Sequence, residues 1–410
     1  MARRIRAVAR RPKVLAAPRL LVTFGLTVAA ILSAVVLAPS RAGASSVLAT
    51  PTGVTVTPGV GAVTVSWTLL PLTSVVYTVT STPTGKTCSV IDGSSCTIAD
   101  TVSTPWQFRV TAARSGSATS LPSAATPALA PRLILLEAGQ SNANGYESYA
   151  LDPITGTNYM AAPYINGADS RDLITWLPWS QLPGLGGTPV PLDTPQQAVY
   201  SGGTFTIFGP EIGLARQLWT DKGRAVTVIK AAYTGTSLAV NWKPTRTGTA
   251  PLGLFSSTVA KVIATMTADA KAGQFDVIGG IYWYQGESDV AKAGWAAKYQ
   301  ANLTALIQAF RADLPMSPTA PIALVKTDTS AYWPYLATTV KLSPHKLQTY
   351  LNNNTLVRAA DDWAAANLPA VVTAETADLP RATPSVIHLT NVGQLTLGAR
   401  LAKATEALLP

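Results

Sequence analysis

The 410-residue sequence predicts a small all-β sandwich near the N-terminus, followed by an α/β domain built on a parallel sheet. Two observations carry this. From Arg132 onward, short apolar runs alternate with longer helical segments, the pattern of a parallel sheet covered by helices on both faces. From about Pro51 to Ala128, Val, Thr, Ser, Gly and Pro dominate instead, and apolar and polar residues alternate with a period of two.

Taken in order, the chain starts with a segment unlike the rest. A formal charge of +10 suits a nucleic-acid or anionic-surface partner. However, eight of the 31 basic residues lie within residues 1–46 with no acid among them, leaving 23 basic against 21 acidic residues. The remainder is nearly neutral, and no nucleic-acid partner is expected. Basic residues up to Arg19, the mostly apolar run from Leu20 to Ala38, and Ala42-Gly43-Ala44 before Ser45 make residues 1–44 an export signal with an Ala-x-Ala cleavage site. The expectation is a secreted protein without membrane attachment after cleavage. The alternative is an uncleaved anchor, because the apolar run approaches the ~20 residues that span a bilayer.

Residues 47–128 read as the sandwich. Val54-Thr55-Val56-Thr57, Val63-Thr64-Val65-Ser66-Trp67 and Tyr77-Thr78-Val79-Thr80 alternate as half-buried strands do. Trp67, Tyr77 and the run Trp106–Ala112 are its candidate core, and these positions resemble those of a fibronectin type III domain. The only cysteines, Cys88 and Cys96, flank Asp92-Gly93, a turn signal expected to fold the flanking strands back on each other and bring the thiols into a disulfide. No thiol then remains for catalysis or metal binding. No exposed aromatic row suggests sugar binding, so the module reads as a spacer. Ser117 to Pro131, stiffened by Pro122, Pro127 and Pro131, reads as an extended linker ending at residues 129–131.

Residues 132–410 suffice for one α/β domain. Strands are predicted at Leu133–Glu137, Ala225–Lys230, Val277–Trp283, Ile322–Lys326 and Ala370–Thr373. Helices are predicted at Pro210–Asp221, Ser256–Lys271, Trp295–Ala312, Pro344–Asn367 and Asn391–Leu408. In the last helix Val392, Leu395, Ala399 and Ala402 share a face, and Thr390 is placed to cap it. Open parallel sheets bind ligands beyond the carboxyl ends of their strands. Ser141, Gly235, Gln285 and Glu287 all fall there.

The first of these ends carries Ala138-Gly139-Gln140-Ser141-Asn142-Ala143-Asn144-Gly145, where small residues let the backbone turn sharply and hold a serine hydroxyl exposed. Gly209-Pro210-Glu211, Gly235-Thr236-Ser237, Gln285-Gly286-Glu287 and Ile387-His388-Leu389 follow in order. Together these stretches resemble the motifs of the sialate O-acetylesterase and acetylxylan esterase group of SGNH hydrolases, over roughly residues 132–410. The resemblance implies a flavodoxin-like three-layer fold and removal of O-acetyl groups from an acetylated carbohydrate by a serine nucleophile, without cofactor. It also implies Ser141 as nucleophile, His388 as base, Glu287 as the carboxylate behind it and Gly235 as an oxyanion glycine.

The residues support parts of this independently. A serine needs a neighbouring base, and the sequence has two histidines. His345 opens a predicted helix and reads as a solvated residue, which leaves His388. SGNH hydrolases usually place an aspartate three residues before that histidine, where this chain has Ser385. The carboxylate must therefore come from elsewhere, with Asp289 and Asp378 as alternatives to Glu287. The Ser141 amide, with Gln285 and Asn142 side chains, could join Gly235 in the oxyanion site. Gly209-Pro210-Glu211 opens a helix and reads as structural. Trp176 and Trp179, in a Gly- and Pro-rich insertion reaching to about Gly203, and Trp242 are candidate sugar contacts. Two histidines and two paired cysteines make no zinc site, so no metal is expected. The competing readings are a catalytically impaired glycan- or wall-binding protein and a short-chain or lipase-like esterase.

Overall fold

The structure, a computed structural model, describes residues 46–101, 103–149, 156–157, 171–177, 189–193, 196–200, 203–244, 253–383 and 386–409. The export segment, Trp179 and Ser385 lie outside the described residues. No helix among the described residues is long and apolar enough to cross a membrane.

Strict alternation organises the N-terminal part. Thr52–Pro58 (β1), Ala62–Thr68 (β2) and Ser95–Ala99 (β5) form one antiparallel sheet, and Val76–Thr82 (β3), Thr87–Ile91 (β4) and Gln107–Ala113 (β6) form another, in the order β4-β3-β6. Every second residue points inward, so that Val63, Val65, Trp67, Tyr77, Val79, Phe108 and Val110 form one shared core. The Cys88–Cys96 disulfide is present, but not within a hairpin. β4 pairs with β3 and β5 with β2, so the bond joins the two sheets. The turn between them crosses over because the Asp92 carboxylate accepts from the Ser74 and Val75 amides at 2.9 and 2.8 Å, drawing it toward β3.

The expected linker is not one. The amides of Ser120, Ser123 and Thr126 donate to the carbonyls of Ala112, Val110 and Phe108, while their hydroxyls accept from the amides of the same three residues. Leu129 completes the row by exchanging both backbone bonds with Trp106. Prolines at 122 and 127 cannot donate to a ladder, and a hydroxyl every third residue accepts from β6 where a regular strand would use a backbone carbonyl. The row leads into the next domain without a break in packing. The Trp106 ring lies 5.0 Å from that of Phe275, and Phe275 and Val277 are buried in the sandwich core.

The α/β part is layered on Arg132–Gly139 (β7). The other strands are Leu173–Trp176 (β8), Val190–Pro191 (β9), Val226–Ala232 (β12), Asp276–Tyr284 (β13), Ile322–Lys326 (β14) and Val371–Glu375 (β15). They form a seven-stranded sheet ordered β15-β14-β13-β7-β12-β8-β9, parallel except for β9. A separate hairpin joins Gln196–Tyr200 (β10) to Gly203–Ile207 (β11). The insertion around Trp176 thus partly extends the sheet rather than forming one long loop.

Helices Glu211–Lys222 (α2) and Asn391–Thr405 (α9) cover one face of the sheet, while Leu254–Lys271 (α3), Tyr299–Asp313 (α6) and Pro344–Asn367 (α8) cover the other. Four shorter helices, Ser141–Asn144 (α1), Glu287–Val290 (α4), Ala293–Ala296 (α5) and Tyr332–Val340 (α7), complete the set. Thr390 caps α9 as expected, accepting from Gly393 N at 3.2 Å. The buried face of α9 overlaps the predicted one only in part, since Ala402 is buried and Leu395 packs against the edge of the core. Val392 is half exposed, whereas Gln394, Leu397, Gly398 and Leu401 face inward. Close packing sets that phase, since a Cβ on Gly398 would lie 2.1 Å from the Pro210 carbonyl. Strand order reverses at β7, with β12 on one side and β13 on the other, opening a crevice beyond their carboxyl ends.

Candidate active site

Ser141 stands at the first position of α1, directly beyond β7. The turn that presents it requires glycine. Gly139 has φ +150° and a Cβ there would fall 2.0 Å from the Tyr284 carbonyl, while Gly145 ends the helix at φ +83° with Phe208 O equally close. The helix is only one turn long, and Tyr146 N donates to Ser141 O at 2.9 Å. The chain therefore doubles back beside the serine.

His388 arrives from the opposite side of the crevice on a narrow loop between β15 and α9. Arg381 bridges to Leu389, Ala382 N donates to His388 O at 2.8 Å, and Arg381 Nη1 donates to Ile387 O at 3.1 Å. The imidazole Nε2 lies 3.0 Å from Ser141 Oγ, and Nδ1 lies 2.8 Å from Glu147 Oε2. The Tyr146 ring packs against the imidazole at 4.8 Å between centroids. A hydroxyl, an imidazole and a carboxylate in this series are the arrangement by which serine hydrolases activate a nucleophile.

The carboxylate is not the one expected. Glu287 is buried, and its Oε1 accepts from Asn142 Nδ2 at 2.7 Å. Asn142 also donates to Ile387 O at 3.1 Å and accepts from Leu389 N at 3.0 Å, gripping the backbone on both sides of His388. Its amide is thereby committed to the histidine loop and cannot double as an oxyanion donor. Gln285 is committed as well. Its Nε2 donates to Gln140 Oε1, Thr236 O and Asp289 Oδ2 at 3.1, 3.1 and 2.8 Å, bracing three loops together. Asp289 accepts in addition from the amides of Leu238 and Ala239, and burial raises its pKa. It faces those amides, not the imidazole. Asp378 lies on the surface in a bidentate pair with Arg400, whose hydrogen bonds pull its pKa down to about 2.

Gly235 adopts φ +74° and is the exposed residue of an otherwise largely buried loop beyond β12, where a Cβ would meet nothing within 4 Å. Two residues earlier, Tyr233 N donates to Gly139 O at 3.0 Å, which fastens this loop beside the turn that carries Ser141. Trp242 is buried edge-on against Trp283 at 5.0 Å, and Trp176 is buried behind the sheet edge, so neither presents a ring to the crevice. His345 is exposed at the start of α8. Glu147 is the residue that sequence reasoning missed. Its one sequence signal is nearness, six positions after Ser141 in the loop released by Gly145. Among the described residues, no three His, Cys, Asp or Glu side chains converge as metal ligands.

Residues 131–407 match the family described as carbohydrate esterase, sialic acid-specific acetylesterase. The chain belongs to this carbohydrate esterase family. No curated protein matches it. Among solved structures it is similar to a protein from Arabidopsis thaliana, with 22% identity and a TM-score of 0.45 over 68% of this chain and 100% of that one. It is also similar to a carbohydrate acetylesterase from Xanthomonas citri, with 18% identity and a TM-score of 0.44 over 89% and 74% of the two chains. NanS gives 14% identity and a TM-score of 0.44 over 68% and 97%.

Proposed function

We propose that this chain is a secreted serine esterase that removes O-acetyl groups from carbohydrate through an acyl-enzyme intermediate. Family membership supports the esterase class. The observation that carries the mechanism is the unbroken series from Ser141 Oγ to His388 Nε2 at 3.0 Å and from His388 Nδ1 to Glu147 Oε2 at 2.8 Å. His388 Nε2 takes the Ser141 proton as Oγ attacks the acetyl carbon, and Glu147 holds the ring in the required tautomer and balances the imidazolium. The Ser141 amide, at a helix position with no intrahelical acceptor, and the Gly235 amide serve as oxyanion donors. The imidazolium then protonates the departing sugar oxygen, leaving acetyl-Ser141. Water activated by His388 releases acetate and restores the serine.

Ser141→Ala should abolish hydrolysis of a chromogenic acetate ester by the whole chain, and residual turnover near the wild-type rate would refute the assignment. The impaired-binder reading drew on Ser385 standing where an aspartate is usual and on the added sandwich domain; a carboxylate already beside His388 answers the first of these. A lipase-like enzyme would favour long acyl chains, so the acyl-length profile separates that reading. Residues 47–128 are proposed as a fibronectin type III-like module that acts as a fixed spacer for the 132–410 esterase domain. Export is supported by the composition of residues 1–44 and is tested by the mature N-terminus, expected at Ser45.

A further inference from the structure

Directly beneath the nucleophile turn lies a set of charged residues that the proposed chemistry leaves unused. Glu137 on β7 and Lys230 on β12 are partners in register, and their side chains are almost wholly buried, as is that of Glu211 at the start of α2. Lys230 Nζ donates to Glu211 Oε1 at 2.9 Å, and Gly209 N donates to the same oxygen at 3.0 Å. The other Glu211 oxygen faces Glu137. Both Glu211 Oε2 and Glu137 Oε1 border the space over Gly209, at 2.7 and 3.1 Å from where its Cβ would stand.

Two glutamates and one lysine cannot all be charged in this site without leaving a net negative charge in the core. As a carboxylate, Glu137 would also find no donor for either of its oxygens. A proton on Glu137 removes both problems, because it neutralises the group and donates to Glu211. Burial, followed by the Glu211 charge, pushes the Glu137 pKa well above the usual range, with Lys230 opposing. The next strand contributes Tyr282, in register with Glu137, whose hydroxyl is shared with Thr405 of α9 and whose pKa burial also raises. Nothing else titratable is contributed by α1.

We propose that Glu137 and Glu211 share one proton above a charged Lys230, and that this neutral cluster is the positioning element for the turn that carries Ser141. The mechanical link is short. Glu211 fixes the Gly209 amide, the Gly209 Cα leaves only 2.5 Å between a would-be Cβ and Ala143 O in α1, and Phe208 O lies against Gly145. Glu137 itself is four residues before Ser141. The positioning role rests on the reading of Ser141 as nucleophile, whereas the shared proton does not.

The test compares the whole chain with Glu137→Gln, which still donates to Glu211, and Glu137→Leu, which cannot. The infrared difference between wild type and Glu137→Gln should contain the carbonyl band of one protonated carboxylic acid, and its absence overturns the shared proton. Because the folded protein holds this proton and the unfolded chain releases it at ordinary carboxyl pKa, wild-type stability should fall with rising pH relative to Glu137→Gln. The change is about tenfold in the folding constant per pH unit between those two pKa values. Equal pH slopes overturn the proposal even if Glu137→Leu does not fold.

Positioning is read by the rate at which a fluorophosphonate labels Ser141, a probe that needs no knowledge of the natural substrate. Glu137→Leu should slow labelling by about tenfold to a hundredfold, as a small misplacement of a reacting atom does. Glu137→Gln should keep the wild-type rate to within about threefold and lack the alkaline decline of the wild type. Equal rates for all three proteins overturn the positioning role. Failure of the wild type to label at all sinks the nucleophile reading and positioning together, while the infrared and stability results still decide the proton.

Discussion

Glu147 reaches His388 because two left-handed backbone positions, one on either side of Tyr146, turn the chain back under the imidazole. Gly145 leaves α1 at φ +83°, and Glu147 itself sits at φ +64°. A glutamate in that region is strained by about 1 kcal/mol or more, a cost that native structures tolerate chiefly at functional positions. Glu147→Gln should keep the fold and lower kcat by about 10³–10⁴-fold, because the amide cannot both hold the tautomer and balance the imidazolium. Glu287→Gln should cost far less, roughly tenfold, since Glu287 acts only through Asn142 on the backbone beside His388. Steady-state kinetics on both variants decide between them. The opposite ranking would return the triad acid to Glu287. The family resemblance pointed to Glu287 as the glutamate of Gln285-Gly286-Glu287, whereas a carboxylate six residues after a serine becomes visible only once the left-handed bend at Gly145 is known.

At the scale of elements, the loop after β13 is a brace that holds the neighbouring loops in place. Asp289 receives the Leu238 and Ala239 amides at 2.8 and 3.0 Å and Gln285 Nε2 at 2.8 Å, and so joins the Gly235 loop to Gln285, the residue after β13. Asp289→Ala would leave the Leu238 and Ala239 amides without their acceptor, while Gln285 Nε2 keeps Gln140 Oε1 and Thr236 O. The expected cost is about 2–4 kcal/mol in urea unfolding, together with a lower kcat as the Gly235 amide loses its aim. Unchanged stability would show that the loop is held by other contacts. Elements of this length were legible where periodicity dominated: Ile322–Lys326 and Pro344–Asn367 have the predicted bounds. The misread elements are those where contacts, not periodicity, set the outcome. The glycines at 213 and 398 rotate the buried face of α9 by letting backbones touch, and the hydroxyls of Ser120, Ser123 and Thr126 turn an apparent linker into a paired edge.

Over the whole molecule the same limit applies to the seam between the sandwich and the α/β domain. The change in composition near Pro131 suggests two independent units. Phe275 sits between α3 and β13, far along the chain, and nothing in its local pattern marks an apolar residue as belonging to another domain's core. The structure buries it against Trp106 with their rings 5.0 Å apart, while Arg224 donates to both the carbonyl and the hydroxyl of Ser103 across the same seam. Residues 45–410 form one compact unit. Trp106→Ala should therefore destabilise both parts at once. Deleting a large, buried aromatic side chain costs about 3–5 kcal/mol when the neighbours cannot collapse into the space, and here those neighbours belong to two sheets and to the strand β13 that leads to Gln285. Calorimetry of the variant should show a single transition at lower temperature, coincident with loss of esterase activity. Two separated transitions, with activity following only the second, would mean that the sandwich unfolds on its own and that the seam carries little of the stability.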